Sequence, residues 1–287
     1  MGTRAITRQF RIILAGLLCF TACSASPSAQ QPQDSSPTIQ AIKAATVVDH
    51  QAVQKVDELT DYPEALRLAW QKSIRECMVK KGFPARDRYH MSYNNTVRGT
   101  LPPGPLTVED ARQYGYSNPR AQRLAAEERE STVTEEEIRA LRGDNAESID
   151  SSCQYITTVK LFGDVELAHT LFTAEKRIFP YAEAAAMSDG LGPIYTDWAQ
   201  CMNDKYQLPF RTPDEIFYEY RGSQIPADIP VADATCREKV NYEGRLNDLL
   251  NAYMTTFLED NQALIERITQ AKKNAEENAP KILDGTL

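Results

Sequence analysis

Histidine is scarce in this chain, which has only three, at His50, His90 and His169. Zinc sites need several clustered histidine, cysteine or carboxylate ligands, so this wide spacing argues against a bound metal. Motifs that identify common enzyme classes are also missing, among them HExxH, GxSxG, GxGxxG, the phosphate-binding loop and the EF-hand loop. We therefore expect no cofactor and can assign no catalytic residue, although the absence of these motifs does not exclude an enzyme.

Long apolar runs are missing as well, and a bilayer-spanning helix needs about 20 such residues. The N-terminal run, residues 12–20, is far shorter and follows Arg4, Arg8 and Arg11. It leads into Phe20-Thr21-Ala22-Cys23. This order predicts a lipoprotein signal peptide over residues 1–22, cut before Cys23, which is then acylated with fatty acids such as palmitate. Leucine is usual at the position of Phe20, so simple secretion is the alternative.

Basic residues are too few for a nucleic-acid partner. Removal of residues 1–22, which hold three arginines and no acid, takes the formal net charge from −8 to −11. Nucleic-acid binding depends on lysine and arginine to neutralise phosphates. Residues 24–37 are rich in Ser, Pro and Gln and cannot form a core. We expect a tether there, within a segment 23–60 that ends in a weak helix, so that lipid holds the chain on the extracytoplasmic face of the membrane.

Four cysteines follow Cys23, at Cys77, Cys153, Cys201 and Cys236, and no two of them have CxxC spacing. An even number of cysteines in an exported chain predicts two disulfides. Their spacing leaves all three possible pairings open.

A diverged repeat favours one pairing. Cys77-Met78 precedes Phe83-Pro84, and Cys201-Met202 precedes Leu208-Pro209. After each comes a loop, a helix start at a threonine and a second cysteine. The repeat predicts the bonds Cys77–Cys153 and Cys201–Cys236, in helical units over residues 61–164 and 165–287.

Apolar residues recur every three to four positions along most of the chain, which predicts helices. We therefore expect an all-α fold of two related disulfide-stapled units with long loops and a long C-terminal helix. The pattern further predicts a helix in residues 38–59, a helix start capped by Asp61, a connecting helix over 165–187, and a last helix that runs from about residue 236 and frays before Pro280. Asp233 is predicted to cap the helix of Cys236.

The Cys-Met pairs, Cys153 with Leu161-Phe162-Gly163-Asp164, and Trp198-x-x-Cys201 with Asp233-x-x-Cys236 together resemble a family of actinobacterial secreted proteins and lipoproteins of unknown function. The resemblance covers roughly residues 62–272. The family usually has Gly-Gly where this chain has Ser151-Ser152. The resemblance implies an extracytoplasmic location, Cys-Met repeats with two disulfides, and a helical fold. It implies no catalytic residues.

The first unit contains an insert, residues 83–145, rich in tyrosine and arginine. Such residues are common anchors of protein interfaces. They also stack on sugars and hold carboxylates, the groups of peptidoglycan. A third interpretation is a loop packed by its own aromatics. The candidate binding residues are Arg86, Arg88, Tyr89, Tyr93, Tyr114 and Tyr116.

These features predict a non-catalytic, lipid-anchored envelope protein that binds another envelope protein, for example in a transport or cell-wall assembly complex. The alternative is a peptidoglycan-binding module or a cell-wall hydrolase that uses carboxylates. A hydrolase predicts an acidic pair in a cleft, with at least one raised pKa.

Overall fold

Helices make up the architecture of the chain. The computed structural model describes residues 38–85, 97–98, 104, 106–117, 134–143, 150–221 and 223–287, and none of these lies in a β-strand. The predicted signal peptide, Cys23, Arg86, Arg88, Tyr89 and Tyr93 lie outside the described residues. The helices are Ala52–Thr60 (α1), Glu64–Lys80 (α2), Val108–Tyr114 (α3), Glu135–Arg142 (α4), Cys153–Phe162 (α5), Val165–Phe172 (α6), Ala174–Ala186 (α7), Leu191–Tyr206 (α8), Pro213–Glu219 (α9), Asp228–Lys239 (α10), Tyr242–Asp260 (α11) and Gln262–Asp284 (α12), with a 3₁₀ turn at Ile39–Ala41. The predicted all-α class is confirmed.

Two disulfides join helices that are distant in sequence. Cys77–Cys153 links α2 to α5, and Cys201–Cys236 links α8 to α10. The pairing predicted from the repeat is therefore correct. Both bonds belong to the same compact unit, residues 36–287. The bounds proposed for two separate units stay a prediction.

The two Cys-Met helices also end alike, which supports the duplication. The backbone turns left-handed at Gly82 (φ +87°) after α2 and at Gln207 (φ +57°) after α8. The next residue, Phe83 or Leu208, then donates its amide to the carbonyl of the helix methionine, at 3.0 and 3.2 Å respectively. Both side chains pack against the core, and a proline follows each. The chain thus leaves each helix in a similar way.

The last helix, α12, packs along α2, α5 and α6. It buries a stripe spaced by three or four residues that is mostly alanine: Ile268, Ala271, Ala275, Ala279 and Ile282. The alanines, which have the smallest side chain of any residue with a Cβ, let the neighbouring helices approach closely. This stripe is the face that α12 buries.

Polar side chains on α12 satisfy carbonyls that the C-terminus of α5 leaves without helical partners. Asn274 donates to the carbonyl of Phe162 at 2.8 Å, and Asn278 donates to that of Leu161 at 3.2 Å. In return, Lys72 of α2 donates to the last carbonyls of α12. The end of α12 is therefore fixed, and the helix continues through Pro280 to Asp284. The prediction that it frays before Pro280 is wrong.

Three other predicted elements are interrupted. The segment from residue 236 forms the end of α10, then α11 and α12, rather than one helix. At the junction of α11 and α12 the Asn261 side chain donates to the carbonyl of Phe257 at 2.9 Å. The connecting helix divides at Thr173. Within residues 38–59, only α1 is α-helical, because the preceding segment instead bonds to α11 through the amide of Ala45.

The start of α2 also differs from prediction. The helix begins at Glu64, after Pro63, and Asp61 does not cap it. The amide of Asp61 instead donates to the carbonyl of Asp57 at 2.9 Å, so Asp61 ends α1.

The two disulfides close loops of different length, 76 and 35 residues. In the chain-entropy model each bond stabilises the protein by about 4 kcal/mol, and the longer loop gains about 0.7 kcal/mol more. We expect Cys77→Ala/Cys153→Ala to lower the free energy of unfolding more than Cys201→Ala/Cys236→Ala. Urea denaturation of both double variants measures this difference, and the reverse order would show that local packing outweighs loop closure.

Candidate functional site

The described part of the insert docks on the second half of the chain. Helix α3 packs on α10, and the hydroxyl of Tyr116 donates to Asp233 Oδ2 at 2.9 Å. At Gly115 the backbone is left-handed (φ +62°), and a Cβ there would lie 3.7 Å from the side chain of Pro230. The insert therefore lies close against α10 at this point.

Asp233 is fully buried within α10 and does not cap it, so the predicted capping role is wrong. The helix begins five residues earlier, at Asp228, which places Asp233 on an interior turn. Its Oδ1 accepts from Trp198 Nε1 at 2.8 Å and from Arg237 Nε at 2.7 Å. Its Oδ2 accepts from Arg237 Nη2 at 3.0 Å and from Tyr116.

Arg237 is only 1 % exposed, and it also binds the insert. Its Nη1 donates to the carbonyl of Gly104 at 3.1 Å and approaches Glu243 Oε1 at 3.4 Å. The guanidinium lies 5.0 Å from the centre of the Tyr242 ring. Arg98, also from the insert, donates to Glu243 Oε2 at 2.9 Å. We call the set Tyr116, Trp198, Asp233, Arg237, Tyr242 and Glu243 the Asp233 cluster.

The Asp233 cluster is built to hold charge rather than to react. An ionised carboxylate has about four acceptor positions, and four donor contacts already occupy those of Asp233. Burial is the main cause that raises the pKa of Tyr116, and the negative charge of Asp233 raises it further. Burial is also the main cause that raises the pKa of Tyr242, and the neighbouring Tyr195 adds to the effect. Both phenols therefore stay protonated, and no acceptor position of Asp233 is left for a substrate.

Two carboxyls elsewhere have raised pKa values. Burial raises the pKa of Asp57 on α1, and this effect exceeds that of the hydrogen bond from the amide of Val97, which lowers the pKa. Burial also raises the pKa of Asp214 on α9, and this effect exceeds that of the positive charge of Arg237, which lowers the pKa. Paired catalytic acids raise each other's pKa through like-charge repulsion. Among the residues that the structure describes, no second carboxylate contributes to either shift.

An exposed aromatic surface lies beside the docked Tyr116. The ring of Phe217, on α9, is centred 4.8 Å from that of Tyr116 and is 41 % exposed. Its neighbour Tyr218 is 73 % exposed. Tyr218 also borders a groove of about 550 Å³, lined by Leu208, Pro209, Phe210, Arg211, Glu215, Tyr218, Glu219 and Tyr220. We call Phe217, Tyr218 and this groove the α9 surface.

Of the candidate binding residues, the structure describes two. Tyr114 is partly exposed at the end of α3, and Tyr116 is engaged in the Asp233 cluster. Their role in binding stays a prediction. The α9 surface was not predicted, although a signal exists in Ile216-Phe217-Tyr218. Successive residues of a helix point about 100° apart, so three large side chains in a row cannot all face one core, and only Ile216 is buried.

Comparisons with models of protein families, with curated proteins and with solved structures each found no match to this chain. None of the described helices has the length and apolar character needed to cross a membrane. In the described part of the chain, no three His, Cys, Asp or Glu side chains come together as a metal site.

Replacement of Asp233 by asparagine should destabilise the fold strongly. The change removes the fully buried counter-ion of the Arg237 guanidinium and leaves only the more distant, partly exposed Glu243, and breaking such a buried pair costs about 3–5 kcal/mol in comparable proteins. Tyr116→Phe removes one hydrogen bond to the same carboxylate and should cost about 1–3 kcal/mol. Urea denaturation provides the free energies of unfolding. Equal, small losses for the two variants would contradict the central role of Asp233.

The buried tyrosines predict loss of stability in alkali. Burial raises the pKa of Tyr116, Tyr181, Tyr195 and Tyr242 in the folded chain. In the unfolded chain these phenols ionise near pH 10. Their contribution is fully present below about pH 10, and it falls as pH rises further because only the unfolded state releases the protons. Unfolding measured from pH 8 to 11.5 should show this decline, and Tyr116→Phe should make it shallower.

Proposed function

We propose that the chain is a non-catalytic, lipid-anchored protein of the extracytoplasmic membrane face, and that it binds another envelope protein through the α9 surface. The exposure of Phe217 and Tyr218 beside a groove carries this proposal. Aromatic side chains and arginine are enriched in the centres of protein interfaces, and Arg211 lies in the same groove.

The disulfides support the extracytoplasmic location. Reducing compartments keep thiols free, whereas exported proteins form and keep such bonds. Two bonds join four separate helices of this chain. Together with the signal-like sequence before Cys23, they favour export.

Mass spectrometry of the mature chain from its own membrane tests the anchor. We expect an N-terminus at Cys23 with a diacylglycerol adduct, together with the bonds 77–153 and 201–236. A free N-terminus without lipid would leave a secreted protein and would contradict the membrane location.

Site-specific photo-crosslinking tests the α9 surface. A photo-reactive amino acid at position 218 should capture one defined envelope protein in living cells, whereas the same group at Phe179, an exposed aromatic on α7, should not. Phe217→Ser/Tyr218→Ser should weaken binding to the captured partner at least tenfold, and Phe179→Ser should leave it unchanged. Identical capture from both positions would contradict the proposal.

Deletion of the whole insert is a poorer test of partner binding, because Arg98 and Tyr116 help to hold the buried Asp233 cluster.

The alternative of a peptidoglycan module predicts a different result. In that case the purified protein would sediment with isolated peptidoglycan, and the change at positions 217 and 218 would abolish this without any protein partner.

A further inference from the structure

The two disulfides differ in how well solvent reaches their sulfur atoms. Cys201 and Cys236 are both buried, so the bond between them is closed to solvent. In the other bond Cys153 is buried, whereas Cys77, near the end of α2, is only partly buried. A thiolate that exchanges with a disulfide must reach one of its two sulfur atoms. Of the four bonded cysteines, Cys77 is the one that is open to such an attack.

The position of Cys153 favours its departure as a thiolate. Cys153 is the first residue of α5, and the first turn of that helix contains no acidic residue. A helix N-terminus carries a partial positive charge, which stabilises a thiolate placed there. Exchange is faster when the leaving sulfur is the better stabilised thiolate. Cys201 and Cys236 lie well inside α8 and α10 and lack this support.

Other contacts hold α2 and α5 together without the disulfide. Ser73 and Thr157 share a buried hydrogen bond of 3.0 Å between these two helices. Helix α12 packs on both, and its Asn274 and Asn278 donate to carbonyls at the end of α5. The two thiols therefore stay close together when the bond opens, and the bond can form again.

The same disulfide closes the base of the insert. The chain enters the insert soon after α2 and returns from it shortly before α5, so Cys77 and Cys153 join its two ends. Lys81 Nζ donates to the carbonyl of Ser151 at 2.7 Å and connects the same ends. Tyr116 is held elsewhere, in the Asp233 cluster. Opening of the bond therefore loosens the base of the insert and leaves its docked part in place.

We propose that Cys77–Cys153 is a thiol-exchange site for a dithiol reductant, whereas Cys201–Cys236 is structural. A thiolate of the reductant forms a bond to Cys77 Sγ, the disulfide breaks, and its electron pair leaves on Cys153 Sγ. The second thiolate of the reductant then bonds to the first and releases Cys77 Sγ. The reductant gives up two electrons and two protons and becomes a disulfide, and the two cysteines take them up as thiols.

The reductant needs two thiols because Cys153 stays close to Cys77. Its thiolate would otherwise attack Cys77 Sγ again and expel a single thiol. A second thiol on the same reductant competes with this return. The exchange is independent of the partner proposed for the α9 surface.

Differential alkylation of the unaltered, folded chain tests the order of exchange. Free thiols are first blocked with N-ethylmaleimide, dithiothreitol is added, and new thiols are labelled with iodoacetamide at intervals. Peptide mass spectrometry should show Cys77 and Cys153 labelled at least tenfold faster than Cys201 and Cys236. In urea the two bonds should open at similar rates, because unfolding removes the difference in access. Equal rates in the folded chain, or faster opening of Cys201–Cys236, would overturn the proposal.

Glutathione, which has a single thiol, shows which sulfur is attacked. After acid quenching we expect a mixed disulfide on Cys77 and a free thiol at Cys153, and complete reduction should be slower than with dithiothreitol at the same thiol concentration. A mixed disulfide on Cys153 would overturn the proposed direction.

Matched variants and circular dichroism separate access from unfolding. In Cys201→Ala/Cys236→Ala the Cys77–Cys153 bond should open at the rate of the unaltered chain. In Cys77→Ala/Cys153→Ala the remaining bond should stay oxidised. The unaltered chain should keep its helical signal while Cys77–Cys153 opens. Loss of that signal in step with the opening would show that unfolding exposes the bond, and the proposal would then be wrong.

Discussion

The buried carboxylate of Asp233 is the interaction on which the second half of the structure depends. It joins α8 through Trp198, the insert through Tyr116, and its own helix through Arg237. Trp198 lies three residues before Cys201, and Asp233 lies three residues before Cys236. The disulfide and the Trp–Asp hydrogen bond therefore connect the same two helices about one turn apart. A buried ion pair can add less stability than apolar residues, but the loss of either partner leaves an uncompensated buried charge.

The first half has a similar arrangement, with a pair of hydroxyl groups in place of the carboxylate. Beside the Cys77–Cys153 bond, Ser73 and Thr157 share a buried hydrogen bond of 3.0 Å between α2 and α5. Each of these residues lies four positions from its cysteine. The neighbouring helix α12 holds the end of α5, because Asn274 and Asn278 donate to the carbonyls of Phe162 and Leu161. Both halves thus keep a polar contact beside the disulfide.

Local patterns predicted much of the fold because helices and disulfide partners leave periodic and repeated signals. The class and both cysteine pairs followed from apolar spacing and from the Cys-Met repeat. The role of Asp233 could not follow, because Trp198 and Tyr116 lie 35 and 117 residues away from it and, unlike Arg237, reach it only in the folded chain. The continuation of α12 through Pro280 could not be predicted either, because it depends on contacts distant in sequence. Lys72 of α2 and the packed alanine stripe hold the end of the helix.

The insert shows why a composition rich in tyrosine and arginine does not by itself locate a binding surface. Tyr116 and Arg98 are held by acids of the second half, so part of that composition stabilises the fold. On α9, by contrast, two aromatic side chains are largely exposed. Ile216 is buried and supports the helix, whereas Phe217 and Tyr218 keep much of their area in solvent and add correspondingly less to stability. Substitution of large aromatic side chains that add little to stability can therefore weaken binding without unfolding the chain.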